Sequence, residues 1–357
     1  MITGNKGEWS EIYALLKIIA DKKLTAGDEN LEVIKDLIFP IIKVLRVESN
    51  GTYEYSYDDE LVIVKGNENV FRIPIVRFQE QALKLLKILQ TETETTFAIP
   101  EIENFINSFN CRSIKASSNS KSDIHIVIHD EKIGTTPTLG FSIKSQIGKA
   151  ATLFNASQSS NFIYKITDNL TDTEIETINN INTSSKIQDR VNAILKKVNL
   201  EFIKTEGNIF QNNLVLIDSC LPNMLAELVV LFNEKAESNL QKLVSILEKE
   251  NPLNYNIENG HKFYDYKIKR LLTDIALGMQ STKVWTGQLD STGGYLIVKE
   301  DGDILCYHIY NRNEFENYLL ANTRLINPSS TRNKFGLIYK EKNELFFKLN
   351  IQIRFLK

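Results

Sequence analysis

The segment that decides the fold reads Ser122-Asp123-Ile124-His125-Ile126-Val127-Ile128-His129-Asp130 and, after a connection, Leu139-Gly140-Phe141-Ser142-Ile143-Lys144-Ser145-Gln146. Apolar residues occupy every second position in both halves, which is typical of β-strands with one buried face. The connection, residues 131–138, contains a glycine and a proline and is short enough to close a hairpin. We therefore predict two antiparallel strands in this segment.

One face of this hairpin carries polar side chains. Because side chains alternate along a strand, the apolar set of each strand enters one core and the remaining set points away from it. The side chains that emerge together are those of Asp123, Ser142, Lys144 and Gln146. A carboxylate beside a lysine on adjacent strands is a minimal site for a hard divalent cation and an activated water. An ordinary solvated hairpin has the same residues, so the pattern alone leaves both interpretations open.

Composition limits the class of protein. The chain has 357 residues, 42% hydrophobic and 24% charged, which is ordinary for a globular protein. A formal charge of −3 argues against a generic, charge-driven nucleic-acid binder, but not against a protein that gathers its cations in one cleft. Three scattered cysteines and four histidines favour a reducing cytosol and make a zinc cluster improbable. With neither a membrane-spanning apolar run nor the apolar core of a signal peptide, we expect a cytoplasmic protein.

Hydrophobic periodicity predicts a mixture of helices and strands. The predicted helices are residues 8–20, 31–38 (ending before Pro40), 78–89, 99–109, 186–198, 221–250 (long and open to a break), 265–279 and 312–320. Besides the central hairpin, the predicted strands are residues 61–64, 70–75, 162–166, 294–298, 304–309, 337–339 and 345–355. This is an α/β fold of the mixed α+β kind, with a central mixed sheet flanked by helices. The linker candidate 252–260 divides the chain into a core, 1–260, and a hairpin-rich region, 261–357.

Three stretches carry a resemblance to a known family. They are Gly4-Asn5-Lys6-Gly7-Glu8-Trp9-Ser10-Glu11, then Ser122-Asp123 with Gly140-Phe141-Ser142-Ile143-Lys144-Ser145-Gln146, and finally Pro328-Ser329-Ser330-Thr331-Arg332 with Leu349-Asn350-Ile351-Gln352-Ile353-Arg354-Phe355. The chain resembles the HpaII family of type II restriction endonucleases over essentially its whole length. That resemblance implies a restriction-endonuclease-like core and Mg²⁺-dependent cleavage of double-stranded DNA at CCGG. It also implies a DNA methyltransferase as a genetic, not physical, partner.

The wider group of nucleases uses an Asp…(Asp/Glu)-x-Lys motif, and this chain departs from it at Ser142. A hydroxyl is a poor Mg²⁺ ligand beside a carboxylate, so we expect a second acid from the first helix, opened by Gly7. Glu11 is the first choice and Glu8 the second, although acids in a first helical turn also stabilise the helix dipole.

The resemblance implies a role for each residue of the central site. Asp123 would ligate Mg²⁺, helped by the backbone carbonyl of Ile143 and by Glu11 directly or through water. Lys144 would contact the scissile phosphate and the attacking water. Gln146 would orient the lysine or a phosphate, or else be a solvated strand residue.

Two polar loops are candidates for DNA contacts. Reading CCGG requires donors to guanine O6 and N7, which arginine and lysine supply in the major groove. The loop at 329–334 is dense in polar and basic residues, and its candidates are Ser330, Thr331, Arg332, Asn333 and Lys334. Ser159, Ser160 and Asn161, after the catalytic strand, form the second candidate group, for phosphate or minor-groove contacts. The local sequence pattern alone predicts that both segments are solvated turns.

Two other functions compete with a sequence-specific endonuclease. A repair nuclease with the same core would read DNA shape rather than sequence. A DNA-binding protein whose nuclease site has decayed would explain Ser142, although Asp123, Lys144 and Gln146 are all retained. The large region after Gly260 favours sequence reading. A palindromic site makes a two-fold homodimer the natural assembly.

Overall fold

A computed structural model describes residues 1–115, 122–130, 134–289 and 292–356. In these ranges the helices are α1 Lys6–Asp21, α2 Ile75–Thr91, α3 Pro100–Asn107, α4 Asp172–Asn179, α5 Lys186–Leu195, α6 Asn208–Ile217, α7 Leu221–Lys235, α8 Leu240–Glu250, α9 Phe263–Leu277, α10 Arg312–Ala321 and α11 Ser330–Asn333. A 3-10 turn covers Gln158–Ser160. The predicted helix at 221–250 is therefore two helices, α7 and α8.

The described residues also form strands. They are β1 Thr3–Gly4, β2 Lys23–Gly27, β3 Val33–Glu48, β4 Gly51–Asp58, β5 Leu61–Gly66, β6 Asn69–Pro74, β7 Phe97–Ala98, β8 Ile124–Ile128, β9 Thr138–Ser145, β10 Thr152–Phe154, β11 Phe162–Ile166, β12 Leu200–Thr205, β13 Gly294–Val298, β14 Ile304–His308, β15 Thr323–Ile326, β16 Ile338–Glu341, β17 Glu344–Leu349 and β18 Gln352–Phe355. Part of the predicted hairpin connection, residues 131–133, lies outside the described residues.

The chain forms two compact units. The first consists of Met1–Ala151 and Leu289–Tyr318, and the second of Thr152–Gln288 and Leu319–Leu356. The predicted boundary after Gly260 does not coincide with this division. The loop between α8 and α9 is fastened inside the second unit, because the Tyr264 hydroxyl accepts from Leu253 N at 2.9 Å and donates to Asn251 Oδ1 at 3.2 Å.

A mixed sheet organises the first unit. Its strand order is β2-β14-β13-β9-β8-β3-β4-β5-β6, and β2 also pairs with β3, so six of these strands form a hydrogen-bonded ring. The central hairpin is confirmed, since β8 and β9 are antiparallel with Ile124 opposite Phe141. On its other side β9 pairs in parallel with β13. The predicted mixed sheet flanked by helices is therefore confirmed.

Helix α1 covers one face of this sheet. It begins at Lys6 and its N-cap is Asn5, not Gly7, because the Asn5 side chain accepts from Glu8 N and the Glu8 carboxylate accepts from Asn5 N, which is a capping box. Its apolar side chains share one core with alternate residues of the hairpin. That core includes Trp9, Ile12, Leu16, Ile19, Ile124, Ile126, Phe141 and Ile143. The predicted amphipathic helix is thus confirmed with a corrected start.

The predicted helix at 31–38 is wrong, because residues 33–38 belong to the strand β3. Its first half pairs with β2 and its second half with β8 and β4, so tertiary pairing overrides the local pattern. Pro40 lies where the strand changes partners, next to a shift of register between Ile41 and Lys43. A proline within a sheet is confined to such irregular positions since it has no N–H to donate.

The second unit contains two smaller sheets, ordered β12-β11-β17-β16 and β10-β18-β15, with α4 to α9 and α11. The predicted strand 337–339 and the start of the predicted strand 345–355 correspond to β16 and β17, which pair as an antiparallel hairpin. The predicted strand 345–355 is instead divided, because the chain leaves one sheet after Leu349 and enters the other at Gln352.

Among the described residues no single helix is long and apolar enough to cross a bilayer. Helices α6 and α7 together have the length and apolar composition of a membrane span, but the chain bends by 108° between them.

Candidate active site

Asp123 stands at the start of β8, where the backbone fixes its carboxylate. Asp123 N donates to Phe141 O at 2.8 Å, which continues the pairing of β8 with β9. The carboxylate reaches across to β9, and its Oδ2 accepts from Ile143 N at 2.6 Å. A backbone donor at this distance holds the carboxylate in one orientation.

Ser142 links the acid to the lysine. Its hydroxyl donates to Asp123 Oδ2 at 3.2 Å and accepts from Lys144 Nζ at 3.3 Å. Ser142 is buried, whereas Asp123 and Lys144 are half-buried at the same surface. Three of the four side chains predicted to emerge together are therefore connected by hydrogen bonds.

The fourth, Gln146, continues the same face of the strand. Its backbone N donates to Val298 O at 2.8 Å, and its side chain is half-buried. Within the described residues the Gln146 amide makes no hydrogen bond to the protein. The amide can therefore turn toward a bound group beside Lys144, and its predicted role stays a prediction.

Tyr295 is part of this site but was not predicted from the sequence. The parallel pairing places it opposite Ser142, and Lys144 Nζ lies 5.3 Å from the centre of its ring. This distance is that of a cation–π contact, which helps to hold the ammonium in place. Burial, together with the charge of Asp123, raises the pKa of the Tyr295 phenol. No local signal identifies Tyr295, because its partner strand is some 150 residues away along the chain.

Two glycines allow the backbone to pack tightly behind the site. A Cβ on Gly140 would lie 2.3 Å from Ser122 Oγ and 2.9 Å from Ser122 Cβ. Gly293 N donates to Gly140 O at 2.7 Å, and a Cβ on Gly293 would lie 2.9 Å from that same oxygen. A side chain at either position would displace the residues that precede Asp123 or flank Tyr295.

The helix acids occupy different surroundings. Glu8 forms the capping box of α1 and pairs with Lys115 at 2.9 Å. Burial raises the pKa of the Glu8 carboxyl, but the Lys115 hydrogen bond and the Asn5 N–H outweigh burial and lower it. Glu11 is half-buried, and its charge acts on Arg46 and Lys115.

Strand geometry separates these acids from Asp123. Helix α1 packs on the face of the sheet that Phe141 and Ile143 form, and alternation sends Asp123 and Ser142 to the other face. The structure thus connects Ser142, not Glu8 or Glu11, to Asp123. A metal role for Glu11 or Glu8 stays a prediction.

The donor set at Asp123 is compatible with a hard divalent cation such as Mg²⁺. Among the described residues no group of three or more His, Cys, Asp and Glu side chains could hold an ion, so a cage of protein ligands is absent there. Mg²⁺ does not need one, because it commonly takes one or two carboxylates and completes its shell with water and substrate phosphates. The half-buried Asp123 carboxylate, with neutral oxygens from Ser142 and Gln146 on the same face, suits that mode.

In the second unit the two predicted DNA-contact loops are brought together. Asn161 Nδ2 donates to Asn333 O at 2.8 Å and to Glu206 Oε2 at 2.7 Å, and its Oδ1 accepts from Asn350 Nδ2. Asn350 Oδ1 is also hydrogen-bonded to Ser160 Oγ, at 3.2 Å. The side chains of Ser160, Asn161, Asn333 and Asn350 are all buried. These side chains therefore hold the loops in place, which is a structural role.

Other residues of the same loops are free to contact a partner. Thr331, Arg332 and Lys334 are exposed, and Ser159 and Ser330 are half-buried. Arg332 is in the short helix α11, whose first turn is capped by Ser329 Oγ, 3.3 Å from Arg332 N. Asn333 thus anchors this helix while Arg332 projects from it.

The chain matches the family model described as HpaII restriction endonuclease over residues 5–355. It is 48% identical over 360 residues to the type II restriction enzyme HpaII of Haemophilus parainfluenzae, covering 99% of each chain. No solved structure matches it. The chain therefore belongs to the HpaII restriction endonuclease family, and it is a site-specific deoxyribonuclease.

Proposed function

We propose that this protein cleaves both strands of DNA at CCGG in a reaction that requires Mg²⁺. The observation that carries the proposal is the hydrogen-bonded series Asp123, Ser142 and Lys144 on adjacent strands, in a chain of this family. The relative from Haemophilus parainfluenzae supports the same activity by its similarity along the whole chain.

Asp123 is the proposed charged ligand of Mg²⁺, with the Ile143 carbonyl, Ser142 and Gln146 as neutral donors or as partners of its waters. When bound, Mg²⁺ would polarise the scissile phosphate and lower the pKa of the attacking water. The Lys144 ammonium, held by Ser142 and Tyr295, neutralises the charge that develops on the phosphate. Glu11, and after it Glu8, are retained as proposed additional acids that would act on the metal through water, since α1 packs on the other face of the sheet.

Arg332 is the proposed reader of guanine, with Thr331, Ser330 and Lys334 beside it on the same loop. The buried asparagines under α11 support this proposal because they hold the loop rigid, and a fixed donor geometry is needed for a bidentate contact to guanine. We place Ser159 near the phosphate backbone. We also propose a homodimer, a cytoplasmic location and a methyltransferase that modifies the same sequence.

Digestion of a plasmid of known sequence tests the reaction. Incubation with Mg²⁺ followed by sequencing of the ends should give cuts at every CCGG and nowhere else, and EDTA should abolish them. Ends at other sequences would contradict the specificity. Cleavage confined to branched or gapped DNA would indicate a repair nuclease, whereas tight binding to CCGG without cleavage would indicate a decayed site.

Assembly is tested separately. Light scattering during gel filtration, with and without a CCGG duplex and with EDTA present, should give twice the mass of a 40.8 kDa chain. A monomer on the duplex would contradict the homodimer and indicate successive cleavage of the two strands.

A further inference from the structure

An open groove in the second unit is lined almost entirely by basic and apolar side chains. Its volume is about 510 Å³, and it lies beside the loop that carries Arg332. The cations that line it are Lys186, Arg190, Lys334 and Lys348, and the remaining lining residues are Ser330, Thr331, Phe335, Leu337 and Tyr339. We refer to it as the basic groove.

The charges in the basic groove are poorly balanced. No carboxylate is among its lining residues, and in the described part of the chain neither Lys186 nor Lys334 forms an ion pair. Lys348 pairs with Glu206 at 3.0 Å and lies 5.2 Å from the centre of the Tyr339 ring. Lys186, Arg190 and Lys334 are thus gathered without a paired acid among the described residues, which is unfavourable unless an anion binds. The whole chain has a net charge of −3, so the groove is a local concentration of positive charge.

Helix α5 directs its N-terminus at the same place. Lys186 is its first residue, and the N-cap residue Ser185 makes no side-chain hydrogen bond to the first turn. Asp189, the acid of that turn, is hydrogen-bonded to the Thr183 hydroxyl. The first N–H groups of a helix attract anions, and among the described residues no side chain caps those of α5.

Arg190 provides a second, independent indication of a ligand. It is 6% exposed and lines the groove, and its Nε has no hydrogen-bond partner among the described residues. Its other nitrogens donate to three carbonyls, Gly336 O at 2.7 Å, Asn179 O at 2.7 Å and Ile181 O at 2.6 Å. The guanidinium is therefore rigidly held, and in the described part of the chain no carboxylate pairs with it.

We propose that the basic groove binds a phosphate of the DNA backbone, with Lys186 and Lys348 as its principal contacts. The proposal rests on the proposed DNA cleavage and adds to it a contact that fixes register without reading sequence. Phosphate contacts of this kind position a protein on the duplex while neighbouring side chains, here on the Arg332 loop, read the bases.

The test compares Lys186→Gln and Lys348→Gln with Lys196→Gln. Lys196 is an exposed lysine at the other end of α5 and does not line the groove. Each protein is titrated by fluorescence anisotropy in EDTA against a CCGG duplex and a scrambled duplex, at 50 mM and 200 mM salt. One phosphate contact contributes about 0.9 to the salt slope. Between 50 mM and 200 mM salt, the affinity of wild type should therefore fall by a factor about three times larger than the affinity of each groove variant.

The groove variants should also bind both duplexes more weakly by the same factor at 50 mM, whereas Lys196→Gln and the charge-retaining Lys186→Arg should resemble wild type. Unchanged affinity, or a loss confined to the CCGG duplex, overturns the proposal. Wild type without affinity for either duplex overturns it too. Wild type that shows groove-dependent binding but cuts no CCGG plasmid refutes the proposed cleavage alone. Thermal unfolding of each variant confirms that it is folded.

Discussion

Ser142 Oγ donates a hydrogen bond of 3.2 Å to Asp123 Oδ2, in a position where a carboxylate would repel Asp123. The same oxygen accepts from Lys144 Nζ at 3.3 Å, so the hydroxyl holds the Asp123 carboxylate and the Lys144 ammonium together. Where the Asp…(Asp/Glu)-x-Lys motif would have a second acid, this chain has a neutral group with one donor and two acceptors. It orders the two charged residues without adding negative charge.

This relationship decides how Ser142 and Glu11 should compare. Removal of a hydrogen bond to a charged group costs about 1.5–3 kcal/mol, so Ser142→Ala should lower the cleavage rate roughly tenfold to 100-fold. Glu11→Gln should have a smaller effect, because α1 packs on the other face of the sheet. Single-turnover cleavage of a CCGG duplex measures both variants. If Glu11→Gln has the larger effect, the helix acid is the missing metal ligand.

Asp123 and Lys144 should be required for cleavage but not for binding. We expect Asp123→Asn and Lys144→Gln each to reduce cleavage at least about 100-fold, because each removes charge stabilisation at the scissile phosphate. Binding to a CCGG duplex should remain, since positioning comes from other contacts. Lys149→Gln, an exposed lysine beyond the strand, is the matched control. If a variant retains more than roughly a tenth of the wild-type cleavage rate, the residue it replaces is not required by the mechanism.

Asn161 should stabilise the predicted DNA-reading loop. Asn161→Asp replaces a buried donor by an oxygen that faces Glu206 and Asn333 O, and should lower the free energy of unfolding by about 3 kcal/mol. Affinity for CCGG should fall as well, because α11 loses its anchor. Asn155→Asp, exposed a few residues earlier, should change neither quantity. Urea unfolding and duplex titration measure both, and equal stability of the two variants would show that the network is not stabilising.

Much of the central site was predictable because it is local. The hairpin and its alternation determine which side chains of β8 and β9 share a face, so Asp123, Ser142 and Lys144 could be grouped from the sequence alone. Tyr295 could not, since it reaches Ser142 only through a parallel pairing with a distant strand. The helix predicted at 31–38 was wrong for the same reason, because residues 33–38 form the first part of β3 and pair with the separate strand β2.

The loop residues divide in a way that only packing reveals. Ser160, Asn161 and Asn333 have the composition of a polar turn, yet all are buried and bonded to one another or to Asn350. Polarity alone does not distinguish a side chain that faces DNA from one that holds a loop. Arg332, which is exposed beside them, remains the candidate reader.

Arg332 should therefore read a guanine of CCGG. A bidentate contact to guanine O6 and N7 discriminates by about 1–3 kcal/mol, so Arg332→Ala should weaken binding to a CCGG duplex by that amount and hardly change binding to a scrambled duplex. The salt slope should stay close to the wild-type value, because no phosphate contact is lost. Titrations of both duplexes at two salt concentrations measure the three quantities.

Two comparisons make this result specific to the arginine. Lys204→Ala, an exposed cation on β12, controls for loss of one positive charge from the second unit. Arg332→Lys keeps the charge but not the planar pair of donors, so it should lose most of the discrimination and retain the affinity for scrambled DNA. Equal losses of Arg332→Ala on both duplexes would make Arg332 a backbone contact. No loss on either would place the reading element elsewhere in the chain.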